Sequence, residues 1–582
     1  MLLSGNEAIA RGAWEAGVRV GVGYPGTPST ETLQSFVTMP DVIAQWAPNE
    51  KVALEVAAGV SMGGARSLVT MKHVGMNVAS DVLMTMAYIG VRGGLVILVA
   101  DDPGMHSSQN EQDSRHWGPF GHVPILEPSD SSEALTFTRR AFEISEEFKV
   151  PVIVRSTTRI SHSKGLVEVG ERGECATPTY ESDPATWVMM PGNARVRRVD
   201  LAGRIRRLAE WASVDGLDRS ELRTRELGIV TSGVCYQYVR EALPDASVFK
   251  VGMSYPLPET GIKAFAAQVE RLVVVEEADP FLATALRSIG LAVEDVGLPP
   301  YGELSPGKIA QAFGLPAPET RTPVDNLPAR PPLMCPGCPH RGVFYALARA
   351  RAVVTGDIGC YTLASLPPLN AMDSCVCMGA SIGMAHGMEL AGQTGGRPVV
   401  AVIGDSTFAH SGITGLVNAA YNAGTSTIII LDNRITAMTG HQGNPMMGVT
   451  LDGRTTVEVD IPALCAALGI NRVRTIDPHD IAAVREAIRE EVAAPELSVI
   501  VAQAPCALLL RDKPQPYAID DETCTACGAC LRIGCPAISA VPDGKAQIDV
   551  SLCVGCAQCV QLCKFGAIVE TGPACDIGGP AR

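Results

Sequence analysis

The chain is poor in aromatic residues, which make up 5% of its 582 positions, and it has no excess of positive charge and no long apolar run. Each shortage removes a class of function. With a net charge of −15, it lacks the dense basic face that displaces counterions from a phosphate backbone, so no nucleic-acid partner is expected. A membrane helix needs about 20 consecutive apolar residues. The strongest runs, residues 94–100 and 427–431, have only the length of buried strands, so no membrane association is expected. The opening stretch MLLSGNEAIARGAWEAG carries Glu7 where a secretory leader would be uninterrupted, and it reads as a helix. A soluble, cytoplasmic protein is the expectation.

What is present points to layered α/β structure. Apolar residues make up 46% of the chain and glycine is plentiful, as close-packed layers with tight strand-to-helix turns require. A chain of this length exceeds one hydrophobic core and should divide into roughly four domains. From residue 1 to about 175, strand candidates at 94–100 and 150–155 alternate with helical stretches such as 50–63, a doubly wound pattern. Residues 176–225 lose that rhythm and gather Arg195, Arg197, Arg198, Arg204, Arg206 and Arg207, as either a solvated linker helix or a subunit-docking surface. A second α/β unit at 226–315 contains LGIVTSG and RLVVVEE but no catalytic constellation. A proline-rich linker at 316–332 precedes a third α/β domain at 333–512, and a cysteine-rich tail fills 513–582.

Of the 18 cysteines, eight fall between residues 524 and 563 at short regular gaps, which inside a cell favours metal over disulfides. Cys524, Cys527 and Cys530 are followed by Cys535-Pro536, and Cys553, Cys556 and Cys559 by Cys563, around a hairpin expected to turn at Asp543-Gly544. This doubled run has the signature of a two-cluster ferredoxin, in which three close thiolates hold one 4Fe-4S cluster and the fourth ligand crosses over. One cluster is assigned Cys524, Cys527, Cys530 and Cys563; the other takes Cys553, Cys556, Cys559 and Cys535. The rival reading, paired zinc sites, suits two-plus-two groupings better than interleaved triplets. An extra residue before Cys535 and Lys564 after the last cysteine depart from the usual pattern without removing a ligand.

In the third α/β domain one strand ends in Gly404-Asp405-Ser406 and another in Asp432-Asn433. Ligands of such sheets bind at the carboxyl ends of strands. Asp405 and the Asn433 amide oxygen are hard donors suited to Mg²⁺, with the Ile435 carbonyl a candidate third. The spacing resembles the diphosphate-binding motif of thiamine-dependent enzymes, although Ser406 and Asp432 replace its usual glycine and asparagine. The plainer alternative is a strand-end aspartate and a turn asparagine. Asn49-Glu50 opens EKVALEVAAG, which resembles the segment carrying the cofactor-activating glutamate of those enzymes. The resemblance gives Glu50 the role of hydrogen-bonding the aminopyrimidine ring.

Further motifs narrow the family. Tyr24-Pro25-Gly26-Thr27-Pro28-Ser29 is close to an element of 2-oxoacid:ferredoxin oxidoreductases. MKHVGMN (71–77), HSSQNEQDSR (106–115), CPGCPHR, DIGCYTL, IGDSTFAHSG and DNRITAMTGHQ resemble forms found in alpha subunits of indolepyruvate:ferredoxin oxidoreductases. That resemblance covers nearly the whole chain. It implies several doubly wound thiamine-diphosphate-binding-type domains plus a small C-terminal α+β two-cluster ferredoxin domain. Residues 1–175 would be of the pyrimidine-binding type, 226–315 like the C-terminal domain of transketolase, and 333–512 of the diphosphate-binding type.

The resemblance also implies thiamine diphosphate, Mg²⁺, coenzyme A as co-substrate, and a smaller beta subunit in a dimer of alpha-beta heterodimers. The activity implied is oxidative decarboxylation of arylpyruvates to aryl-acetyl thioesters, with electrons passing to ferredoxin. Tyr24, Thr27, His73 and His106 are candidates for the substrate pocket, either histidine able to donate to the oxoacid or shuttle a proton. Cys335, Cys338, Cys360 and Cys506 match the pieces that hold a further cluster near thiamine in related oxidoreductases, or else are buried free thiols. Competing readings are an oxidoreductase for aliphatic or branched oxoacids, an electron-transfer subunit alone, and a nonoxidative decarboxylase.

Overall fold

In the computed structural model the apolar run at residues 94–100 becomes the strand Leu95–Asp101, buried at every position. Such a strand needs neighbours on both edges and layers on both faces, and it has them. It belongs to a seven-stranded sheet whose order is 253–255, 125–126, 152–157, 95–101, 67–72, 20–23 and 43–46. The pairings are parallel except at the edge, where Met253–Tyr255 runs antiparallel to Ile125–Leu126. From the strand Val20–Gly23 the chain winds one way to Ile43–Trp46 and the other way to Ser67–Lys72. The crevice between Val20–Gly23 and Ser67–Lys72 is therefore the topological switch point.

The structure describes residues 1–174, 180, 182–215, 217–316, 326–327 and 331–571. The chain divides into two compact units, Met1–Asp325 and Asn326–Arg582. The proline-rich stretch 316–332 falls mostly outside the described residues, as do the last eleven of the tail, 572–582.

The first unit also holds a four-stranded sheet ordered 271–275, 227–232, 247–251 and 219–221, with only the last strand antiparallel. Its layer is fastened to the first by buried charge. Arg115, 1% exposed, pairs with Asp113 (2.5 Å) and with Glu276 (2.6 Å), while Lys250 reaches Glu133 (2.6 Å). The arginine-rich stretch forms the helix Pro191–Asp215, and it is not simply solvated. Leu201, Leu208 and Arg204 are buried, and Arg204 donates to the carbonyls of Ala87, Tyr88 and Lys149, so only its outer face, with exposed Val196 and Val199, fits a linker helix.

The second unit is built on a six-stranded all-parallel sheet ordered 374–375, 353–356, 399–404, 427–432, 498–503 and 472–476. The winding repeats that of the first sheet, with its switch point between Val353–Gly356 and Val399–Gly404. The tail contains two antiparallel pairs, Tyr517–Ile519 with Ile568–Glu570 and Ile538–Ala540 with Ala546–Ile548. The second pair is the hairpin expected at Asp543-Gly544. Short 3₁₀ turns at Cys530–Ile533 and Val560–Leu562 repeat the two cysteine runs in space. Among the described residues no helix is long and apolar enough to cross a membrane.

Candidate active site

In the first unit, Asn49 accepts a hydrogen bond from the Val52 amide (2.9 Å) and so caps the helix Glu50–Met62. The cap fixes Glu50 as the first helical residue, where the positive end of the helix favours a carboxylate. Glu50 is only 5% exposed. Its carboxylate lies over Gly75, near the start of the helix His73–Ile89, where any Cβ would stand 2.6 Å from Glu50 Oε1. The glycine of MKHVGMN is thus the space the glutamate occupies.

At the switch point itself Tyr24 and Thr27 follow one strand, while Lys72 ends the other and His73 follows it. Asn6 donates to the Pro28 carbonyl (2.7 Å), and Ser29 Oγ donates to the Gly26 carbonyl (2.8 Å), holding the turn. The segment after Asp101 folds across both strand ends. Lys72 Nζ donates to the Ser107 carbonyl (2.7 Å), and His73 Nε2 lies 3.2 Å from the Asn110 carbonyl. Burial pushes Lys72 down to about 8 and also lowers His73, which is then neutral near pH 7. His73 Nδ1 is buried with no hydrogen-bond partner. Thr27, His73 and Glu50 are thereby placed at the carboxyl edge of the sheet; His106, in the segment that crosses it, has a half-exposed side chain that faces Glu303 Oε2 at 3.3 Å.

In the second unit Asp405 begins a helical turn directly after the strand Val399–Gly404. Its carboxyl is pushed up to about 7, first by burial and then by the neighbouring Asp432 carboxylate. Against that cost it accepts from Asn444 Nδ2 (3.1 Å) and the Ser406 amide (2.8 Å), with the Arg434 amide also lowering its pKa, an arrangement that suits a cation. Asn433 Oδ1 accepts from the Ile435 amide (3.2 Å), and Ser406 Oγ accepts from Thr436 Oγ1 (2.8 Å). Gly404 donates its amide to Tyr361 Oη (2.9 Å), and its missing Cβ leaves room for that ring. The donor set fits Mg²⁺ with a diphosphate.

Cys360 follows the same sheet's switch-point strand, and the Cys506 amide donates to the Asn433 carbonyl (3.1 Å). Burial raises Cys338 to about 12 and also raises Cys360 and Cys506. Neighbouring thiols add to each shift: Cys360 and Cys335 at Cys338, Cys506 and Cys335 at Cys360, and Cys335 at Cys506. The four cysteines are electrostatic neighbours. In the tail the same holds within each assigned set, Cys530 feeling Cys527, Cys563 and Cys524, and Cys556 feeling Cys535 and Cys553.

Several residues went unread in the sequence. Gly75, Lys72 and Arg341 lie inside motifs that stand out there, but nothing in one sequence separates them from their neighbours. Asn444 reaches Asp405 from a loop with no pattern. Asp357, at the end of the strand Val353–Gly356, accepts the amides of Ile358 (2.9 Å), Gly379 (2.9 Å) and Ser381 (3.1 Å) and so shapes the second switch point.

Residues 357–502 match the family described as "Thiamine pyrophosphate enzyme, C-terminal TPP binding domain". Residues 11–195 match "Pyruvate flavodoxin/ferredoxin oxidoreductase, thiamine diP-bdg", and residues 546–569, the second cysteine run, match "4Fe-4S binding domain". Fold and site define a thiamine-dependent oxidoreductase with an iron–sulfur module. Relatives named indolepyruvate oxidoreductase subunit IorA extend over the whole length: that of Methanothermobacter marburgensis is 40% identical, covering 98% of this chain and 97% of its own. Those of Archaeoglobus fulgidus (38%; 98% and 97%) and Pyrococcus abyssi (39%; 97% and 96%) are similar. The chain belongs to this family of indolepyruvate oxidoreductase IorA subunits. The solved 2-oxoglutarate:ferredoxin oxidoreductase of Magnetococcus marinus aligns at TM-score 0.44 and 17% identity over 54% of this chain and 64% of that one, too weakly to bear on the site.

Proposed function

We propose that the chain catalyses thiamine- and coenzyme A-dependent oxidative decarboxylation of arylpyruvates such as indolepyruvate and phenylpyruvate. The products are the aryl-acetyl thioester and CO₂, with two electrons leaving through 4Fe-4S clusters to ferredoxin. The observation that carries this reading is Asp405, a buried carboxyl pushed up to about 7 beside Asp432, at the strand end where a diphosphate-bound cation belongs.

When bound, thiamine diphosphate supplies the carbanion chemistry and electron sink that side chains lack. Asp405, Asn433 and the Ile435 carbonyl hold Mg²⁺, with Gly404 and Ser406 shaping the diphosphate cradle. Glu50, fixed by its cap, would hydrogen-bond the ring nitrogen of the aminopyrimidine and favour its imino tautomer. Tyr24 and Thr27 line the cofactor side of their switch point. His73, neutral, with Nε2–H turned to the Asn110 carbonyl and Nδ1 unpartnered, offers a lone pair there that can accept a hydrogen bond or take up and relay a proton. His106, exposed and paired with Glu303, is the weaker candidate for that task.

Cys524, Cys527, Cys530 and Cys563 hold one tail cluster, and Cys535, Cys553, Cys556 and Cys559 the other. The mutual influence of Cys335, Cys338, Cys360 and Cys506 supports a third. A smaller beta subunit completes the enzyme in a dimer of heterodimers, and the cytoplasm is its compartment. The test is anaerobic dye reduction by the complex with its partner, comparing indolepyruvate, phenylpyruvate, pyruvate and 2-oxoglutarate. Preference for the aryl acids is expected; turnover of aliphatic acids alone would overturn the substrate.

A further inference from the structure

Within the second unit, residues 335–341 touch three neighbours in succession. His340, buried and pushed down to about 4 by burial and by His479, has Nε2 3.4 Å from Asn433 Nδ2. The Cys338 carbonyl accepts from Gln558 Nε2 (3.1 Å), and a Cβ on Gly337 would stand 2.1 Å from Val554 Cγ2. Val554 and Gln558 lie among Cys553, Cys556 and Cys559. Arg341, 3% exposed, then closes the joint: it donates to the carbonyls of Met334 and Cys335 (3.3 Å) on one side and of Ile533 (3.3 Å) and Gly534 on the other. Gly534 immediately precedes Cys535. Those of these hydrogen bonds that reach the tail end on Ile533 and Gly534, next to Cys535, and on Gln558, next to Cys559; none of those named ends on residues 524–530.

An arginine among carbonyls is ordinarily a packing device. Here it is also a buried cation with no carboxylate among these partners. Burial lowers its pKa, and the neighbours that hold its charge are the sulfurs of Cys535, Cys338, Cys335 and Cys556. A cluster gains one negative charge on reduction, and a fixed cation in a low-dielectric surrounding favours that state.

We infer that Arg341 is a positioning residue for electron transfer, seating the Cys535 loop against the Cys335–Cys338 loop. Its charge makes the cluster of Cys535, Cys553, Cys556 and Cys559 the one at which electrons enter the tail. This rests on the iron–sulfur reading of the tail. Each electron would pass from the cluster held by Cys535, Cys553, Cys556 and Cys559 to the one held by Cys524, Cys527, Cys530 and Cys563 and on to ferredoxin, so that both clusters would return to the oxidised state. The two electrons released per oxoacid decarboxylated require two such passages.

The test uses the complex with its partner, purified anaerobically as the parent, Arg341→Gln and Arg341→Lys, with iron analysis and potentiometric titration followed by electron paramagnetic resonance. Cys527→Ser assigns the signal of the other cluster. The expected result is a more negative potential in Arg341→Gln for the Cys535 cluster alone, with Arg341→Lys keeping most of the parent potential. Where the glutamine variant does not retain its clusters, the lysine variant decides: a parent-like potential with weakened spin coupling between clusters supports the inference. Unchanged potentials in Arg341→Gln, equal shifts in both clusters, or a lysine variant shifted as far as the glutamine one would overturn it. A parent tail without iron would instead remove the iron–sulfur reading beneath it.

Discussion

The carboxylate of Glu50 and the backbone of Gly75 share one space: a Cβ at residue 75 would stand 2.6 Å from both Cγ and Oε1 of Glu50. Both residues sit within helix starts, so neither backbone yields easily. Gly75→Ala should therefore push the carboxylate aside while the fold survives. A displacement of about 1 Å in a catalytic group costs on the order of 10²-fold. Turnover should fall by that order, and Glu50→Gln should lose at least as much. Steady-state kinetics alongside circular dichroism checks both, and a Gly75→Ala enzyme of normal activity would remove Glu50 from the chemistry.

Asp405→Ala removes the buried carboxyl that the proposed cation needs. The purified complex should lose thiamine diphosphate and Mg²⁺ on desalting. Asn444→Ala, which removes one donor to Asp405, should weaken retention less, by roughly the value of a hydrogen bond to a charged group, about 1.5–3 kcal/mol. Cofactor content after gel filtration separates the two.

Burial raises the Glu277 carboxyl to about 7, where its Oε1 accepts the Leu304 amide (2.8 Å). The folded chain keeps this proton up to about pH 7, while the unfolded chain releases it near the usual 4.5. Protons bound to the native state exceed those of the unfolded state between these values, so stability falls as pH rises through that window and levels off above it. The effect is on the order of 3 kcal/mol at most. Glu277→Gln keeps the acceptor and loses the titration. Its melting temperature should fall less than the parent's between pH 5 and pH 8.

Arg115 is buried between Asp113 and Glu276, carboxylates from the two layers it joins. Arg115→Met leaves Glu276 without its cation and Asp113 with only the more distant Arg155 (3.7 Å), and should cost about 3–5 kcal/mol. Thermal unfolding measures it, and a loss confined to activity would show that the pair serves the site rather than the fold.

If Cys335, Cys338, Cys360 and Cys506 hold a cluster, the anaerobic complex should carry about twelve iron atoms per chain rather than about eight, and Cys338→Ser should bring it down by about four. Iron and sulfide analysis decides between the cluster and four free thiols.

Much of this was legible because each signal is local. The strand Leu95–Asp101, the helix at Glu50, the Asp543-Gly544 hairpin and the doubled cysteine runs depend on residues close in sequence, and period and spacing expose them. What stayed hidden depends on distant pairs. Arg204 looks like one arginine in a solvated stripe until the carbonyls of Ala87, Tyr88 and Lys149 are beside it. His106 stands in a motif as prominent as that of His73, yet one is half-exposed against Glu303 and the other sealed at the strand end. Asn444 and Asp405 are far apart in sequence and meet only in the fold.

The strand Met253–Tyr255 leaves its own sheet to finish the edge of another. The seam that composition suggests near residue 226 is therefore not a place where the protein can be cut. A fragment ending there would bare the backbone of Ile125–Leu126, an invitation to pair with any passing chain, and would strand Arg115 without Glu276. The two layers should melt, exchange amide hydrogens and be inherited together, so the portion without chemistry of its own works as the fastening that keeps the first cofactor crevice in shape.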